Sequence, residues 1–197
     1  MLIMKNLLMV FGLVIGMFGV GVNQCSAHVT EAMAVGRIKQ AVTDRIAVGE
    51  SMLQIQPLRT QCEDARNGGE YTASVFQAID DAVARAQAQN VPFGTWYRWK
   101  VAMLARVTAA DAVRDSALDS EFYAEDRHGL GRSYLFSAGY KRDYAPSWYT
   151  WQEVYSDASA AISLFDSALD DTNDAIINFA DARNLYNGIK SDADASF

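Results

Sequence analysis

An all-α fold, an antiparallel bundle of four or five helices with one long aromatic-rich connection, is what the 197-residue sequence predicts. Three observations predict it. Apolar and small residues recur three or four positions apart over long stretches, Gly and Pro fall between those stretches, and no apolar-polar alternation persists beyond a few residues. With 50% apolar and 21% charged residues the chain is an ordinary globular one, long enough to bury a single core. Its 13 Gly, 3 Pro and 2 Cys are too few for a collagen-like, disordered or disulfide-dense protein. The length also argues against a multi-domain enzyme. We find no internal repeat or low-complexity tract.

Residues 1–27 read as a secretory signal peptide. Lys5 supplies a positive start, residues 7–22 form an uncharged apolar run, and Asn23 to Ala27 is a polar stretch ending in small residues. The expected cut follows Ala27, with Cys25 at the third position before it. The alternative is an uncleaved membrane anchor, but 16 residues at 1.5 Å each span only about 24 Å against a hydrocarbon core of about 30 Å. Asn23 and Gln24 argue against lipid attachment at Cys25. Residues 28–197 then form the helical bundle domain. Cleavage would leave Cys62 as the one thiol, read as a small, partly buried hydrophobe; retention would allow Cys25 and Cys62 to pair in an oxidising compartment.

The first helix is expected from Val29 to Gln56, on a stripe of Val35, Ile38, Val42, Ile46, Gly49 and Leu53, with Pro57 ending it. A short turn covers Leu58 to Arg66, and Asn67, Gly68 and Gly69 stop it. A second helix from about Thr72 carries Val75 or Phe76, then Ile79, Val83 and Ala86, and stops near Asn90 ahead of Pro92. Thr95 is the expected cap of a third, bearing Trp96, Trp99, Met103, Val107, Ala110 and Ala117 and ending near Ser120. Residues 121–146, punctuated by Gly129, Gly131, Gly139 and Pro146, read as the long connection. Ser147 caps the last helix, whose stripe is Trp151, Val154, Ala158, Ile162, Phe165 and Leu169. It either turns at the acidic cluster 170–174 or runs on through Ile176, Phe179 and Tyr186 to Gly188.

Charge narrows the partners. Without Lys5 the chain keeps 16 Lys and Arg against 24 Asp and Glu, a formal net of −8, and phosphate neutralisation needs the opposite surplus. The cations of the most basic stretch, Arg127, Arg132, Lys141 and Arg142, are cancelled by Glu121, Glu125, Asp126 and Asp143. No nucleic acid is expected as a partner, and a membrane only if residues 7–22 are retained.

Candidate chemistry is sparse. Cleavage after Ala27 would make His28 the N-terminus, offering an amine and an imidazole together. With His128 this would give three nitrogens suited to Cu(II). The arrangement resembles the copper brace of lytic polysaccharide monooxygenases and some periplasmic copper carriers, over two residues and no shared fold. The bland reading is a terminal histidine and an exposed loop histidine. Asp166, Asp170 and Asp174, with Asp171 beside them, share one helix face and could gather Ca²⁺ or Mg²⁺ oxygens, but no EF-hand spacing is present and a solvated face explains them. A set of Ser133, His128 and Asp126 has no strand-turn-helix frame, and haem and nucleotide motifs are absent.

Aromatic residues cluster. Of 22, 14 fall between Phe93 and Tyr155, including all four Trp. Tyr134, Tyr140, Tyr144, Trp148 and Tyr149, with Arg142 and Arg132, read as a binding surface, because Trp, Tyr and Arg dominate interface hot spots. The competing reading is a satellite core with Trp99 and Trp151 inside. Trp151 is expected to be buried between the third and fourth helices. The function expected is association with a protein partner or with itself, without catalysis or cofactor, outside the cytoplasm (periplasm, cell surface or medium). The alternative is a periplasmic or secreted copper protein using His28 and His128.

Overall fold

The computed structural model describes residues 28–197, and the leader reading at 1–27 lies outside them. Five helices fold in chain order: α1 (Glu31–Met52), α2 (Ile55–Asn67), α3 (Val75–Ala88), α4 (Phe93–Asp143) and α5 (Trp151–Asp194). The fold is all-α, and α4 and α5 form an antiparallel hairpin. At 1.5 Å per residue they reach about 76 and 66 Å. Cross-links fix their register, from Lys141–Asp157 near the turn through Arg127–Asp171 and Tyr186–Asp111 to Arg106–Asp192. Along this hairpin α1, α2 and α3 lie end to end as a third, interrupted arm. Arg37 reaches Tyr155, Arg59 reaches Glu121, Arg66 reaches Asp111, and Asp80 reaches Lys100, so the arm runs with α5 and against α4. The central helix is α5, which packs on all four others.

The helices start where short polar side chains can hold free amides. Thr30 and Ser74 accept from Met33 N and Gln77 N, and Thr150 and Glu153 form a reciprocal capping box with bonds of 3.2 and 2.8 Å. That box, and not Ser147, begins α5. At α4 the cap position is Pro92, without a side-chain bond, and not Thr95. Gly68 ends α2 at φ 85°, where a Cβ would meet Thr72 O and Ser74 N at 2.9 Å.

Several expectations need correction. The connection at 121–146 is helix as far as Asp143, leaving only residues 144–150 as the turn, which includes a cis Ala145–Pro146 bond. A seven-residue spacing of small residues carries α4 through its glycines: Ala110, Ala117, Ala124, Gly131 and Ala138 are all buried. They face Ala161, Ala168, Ala175 and Ala182 of α5, each fully buried. Such a repeat is the pattern of a helical coil wound left-handedly, and small residues on its seam let the two backbones approach closely. It is an internal repeat that a search for helical stripes overlooks. Gly131 belongs to this seam, since a Cβ there would lie 2.6 Å from Phe165 Cε1.

Pro57 does not end the first helix. The break falls at Leu53 and Gln54, and Pro57 is the third residue of α2, where its missing N–H has no helical acceptor to lose. The buried face of α1 is Ala34, Ile38, Ala41 and Val48, while Ile46 and Leu53 point to solvent. Uninterrupted by turns, α5 runs past both the acidic cluster and Gly188. Trp151 is only partly buried, because it is the first residue of α5 and the bundle ends there.

Two large clusters make most of the core, and a small third joins Ala78 and Ala82 of α3 to Ala193 of α5. Of the large ones, one joins α1 to the turn-proximal halves of α4 and α5 through Ile38, Val48, Leu135, Val154 and Phe165. The other joins α2 and α3 to the distal halves through Ile55, Cys62, Ile79, Val107, Phe179, Tyr186 and Ile189. Among the described residues no helix is long and apolar enough to cross a membrane.

Candidate functional site

The turn between α4 and α5 carries the aromatic residues singled out from the sequence. Tyr140 and Tyr144 are one helical turn apart at the end of α4, and their ring centroids lie 4.8 Å apart. Tyr149, from the turn itself, meets Tyr140 at 6.2 Å in an edge-on arrangement. Trp148 stands 81% exposed, and Tyr140 and Tyr144 are about half exposed. Packing beneath holds this tip. Lys141 reaches Asp157 at 2.8 Å and lies over the Tyr149 ring, and Ser137 donates to the same carboxylate at 2.6 Å. That carboxylate holds the Lys141 ammonium above its ordinary pKa, so the cation stays charged at neutral pH.

The structure brings Tyr140, Tyr144 and Tyr149 into one group with Trp148 on the same turn. Tyr134 is exposed but stands apart, roughly a third of a turn round the helix and about 9 Å nearer the middle. Arg142 pairs with its neighbour Asp143 at 2.7 Å, in the open.

His128 is not an exposed loop residue. It sits in α4 against Phe165, its Nε2 buried without a hydrogen-bond partner. Burial first, then the charges of Arg132 and Arg45, pull its pKa below the usual imidazole value, so it is neutral near pH 7. His28 is exposed ahead of α1. Gly129, the neighbour of His128, lines a cleft together with Arg45, which lies 14 residues into α1 from Glu31, about 21 Å along the axis, so the two imidazoles are not brought together. Among the described residues no group of three or more His, Cys, Asp or Glu is placed to hold a metal ion. In the acidic row, Asp171 is engaged by Arg127, and Asp166 faces Asp44 of α1 closely enough to raise its carboxyl above the normal range, with burial the larger cause. Cys62 is fully buried, and its thiol is pushed up to about 11 by that burial, which keeps it protonated and unreactive.

Two features escaped the sequence. One is a polar network in the distal half. Asp111 accepts from Arg66 at 2.7 and 3.2 Å and from the Tyr186 hydroxyl at 2.5 Å, joining α2, α4 and α5. Burial alone would raise the Asp111 carboxyl, but those bonds outweigh it and hold it below the usual value. The other is a cleft of about 650 Å³ between α1 and α4, lined by Ile38, Val42, Arg45, Arg132, Leu135 and Phe136 among others. The available signal was Arg45, an arginine at an inward step of the series Ala34, Ile38, Ala41, Val48.

No protein family, curated protein or solved structure matches this chain.

Proposed function

We propose that the protein is an exported, non-enzymatic helical rod that acts by protein–protein association through its aromatic tip. The observation that carries this reading is the group Tyr140, Tyr144 and Tyr149 with an 81% exposed Trp148, held on a short turn between two long helices. Such rings bury a large area at low entropic cost, and a tip braced by the Lys141–Asp157 pair needs little reordering to bind. Export rests on the leader-like composition of residues 1–27, and the acidic balance favours protein over nucleic acid as the partner.

The test pairs association with stability. Crosslinking in the native host and sedimentation of the purified protein should recover a complex, with itself or with another protein. Tyr144→Ser combined with Trp148→Ser should abolish it while changing urea stability by less than about 0.5 kcal/mol, as expected of exposed residues. Trp151→Ala, at a partly buried site, should cost about 1–2 kcal/mol. A strictly monomeric protein with no crosslinked partner overturns the reading, as does a double variant that associates normally. Mass spectrometry of the native N-terminus tests export: a chain beginning at His28 supports it, and an intact Met1 in the cytoplasm refutes it.

A further inference from the structure

We propose that the cleft between α1 and α4 binds a single-chain amphiphile with an oxyanion head. The head is held between Arg45 and Arg132, and the tail lies along Ile38, Val42, Leu135 and Phe136. The first observation is where unpartnered arginines fall. Of twelve arginines, ten donate to a side chain or a carbonyl. Arg45 and Arg132 donate to nothing among the described residues, and both line this cleft. The cleft therefore brings two unpaired guanidiniums, one from each helix, to a single site. No carboxylate lines the cleft, although the chain carries seven more acidic than basic residues. Like charges lining one cleft repel, and an oxyanion bound there relieves that repulsion while matching the planar donor forks.

The second observation is the wall. Val42 is 38% and Phe136 78% exposed, an apolar strip that water covers when the cleft is empty. Apart from the arginines, the one polar side chain on the wall is Ser133, whose hydroxyl donates to Gly129 O at 3.2 Å. A peptide laid here would leave its backbone amides and carbonyls without partners, whereas an aliphatic chain has none to satisfy. A volume of about 650 Å³ is that of a small-molecule site. The cleft exists because α1 packs mainly on α5 and only lightly on α4, which leaves a groove between α1 and α4.

Calorimetry of the purified protein with dodecanoate and with dodecyl phosphate, both below their micellar concentrations, tests the site. Saturable one-to-one binding is expected, and whichever ligand binds tighter identifies the head. Arg45→Gln combined with Arg132→Gln should weaken binding at least tenfold, and both side chains are exposed, so the fold is retained. Phe136→Ser should weaken it severalfold through the tail alone. Arg98→Gln combined with Lys190→Gln removes the same charge from the distal half and should leave affinity within twofold. Absence of saturable binding overturns the proposal. So does equal affinity in the Arg45/Arg132 variant, equal affinity for dodecanol, or inorganic phosphate binding as tightly as dodecyl phosphate. The aromatic tip plays no part in any of these readouts, so this test and that of association succeed or fail separately.

Discussion

The two halves of the rod are built from the same hairpin but resolve their polar groups differently. In the distal half, where α2 and α3 cover α4 and α5, the half-buried Asp111 and Arg66 satisfy each other and the Tyr186 hydroxyl at the edge of a core containing Phe179. In the proximal half, covered by α1, lie all three buried side-chain atoms without a partner among the described residues: Asp44 Oδ2, His128 Nε2 and Ser159 Oγ. The cleft and the two unpartnered arginines lie there too. A buried polar group without a partner costs about 1–3 kcal/mol, so the proximal half gives up stability that the distal half keeps. Local rules fail where a surface is shaped for something other than folding, and both candidate surfaces, the tip and the cleft, belong to the proximal half.

The largest expected break in this contrast is Asp111→Asn. It removes the charge that Arg66 and Arg114 face and weakens the acceptor of the Tyr186 hydroxyl. The loss should be about 2 kcal/mol at pH 7 in urea unfolding. Because the Asp111 pKa lies below its unfolded value, its contribution is complete above about pH 4 and fades as pH falls through the lowered folded value. Wild type and variant should therefore converge in acid.

Gly131→Ala ranks next. The added Cβ meets the Phe165 ring at 2.6 Å, and overpacking of about 1–3 kcal/mol outweighs a helix-propensity gain of about 1 kcal/mol. Gly139→Ala is its control on the same helix, with open space around the new methyl, and should stabilise by roughly 0.5–1 kcal/mol. Thermal unfolding of the pair separates a glycine needed for contact from one that is not.

The smallest effect sharpens the comparison from the other side. Asp44→Asn should stabilise the protein by about 0.5–1 kcal/mol at pH 7, since burial and Asp166 disfavour the carboxylate. Its folded pKa is raised, so the wild type regains this stability as pH falls through that raised value, and the advantage of Asn disappears below about pH 4. Urea unfolding at pH 7 and pH 3.5 checks the sign. A destabilised variant at pH 7 would show that Asp44 is satisfied after all, and the contrast between the halves would weaken.

What the sequence determined by itself is helical character and the helix ends whose signal lies within four residues, while the ends of α1, α4 and α5 fell elsewhere. The stripe Val75, Ile79, Val83 and Ala86 and the stop at Asn67 to Gly69 are legible for that reason. The aromatic clustering was legible as composition: Tyr140, Tyr144 and Tyr149 lie together with Trp148 on the same turn, while Tyr134 stands apart and Arg142 pairs with Asp143. Tertiary structure alone decided that residues 121–143 are helix. A glycine costs a lone helix about 1 kcal/mol, and only the partner helix, with Phe165 seated where a side chain at 131 would be, reverses that preference. It also decided which side of α1 is buried. Two overlapping stripes share Ile38, and contact with α5 selects Ala41 and Val48 over Ile46 and Leu53. The cleft follows from that choice, because the rotation of α1 sets Val42 and Arg45 opposite Arg132 and Phe136, residues 90 positions apart that no local pattern relates.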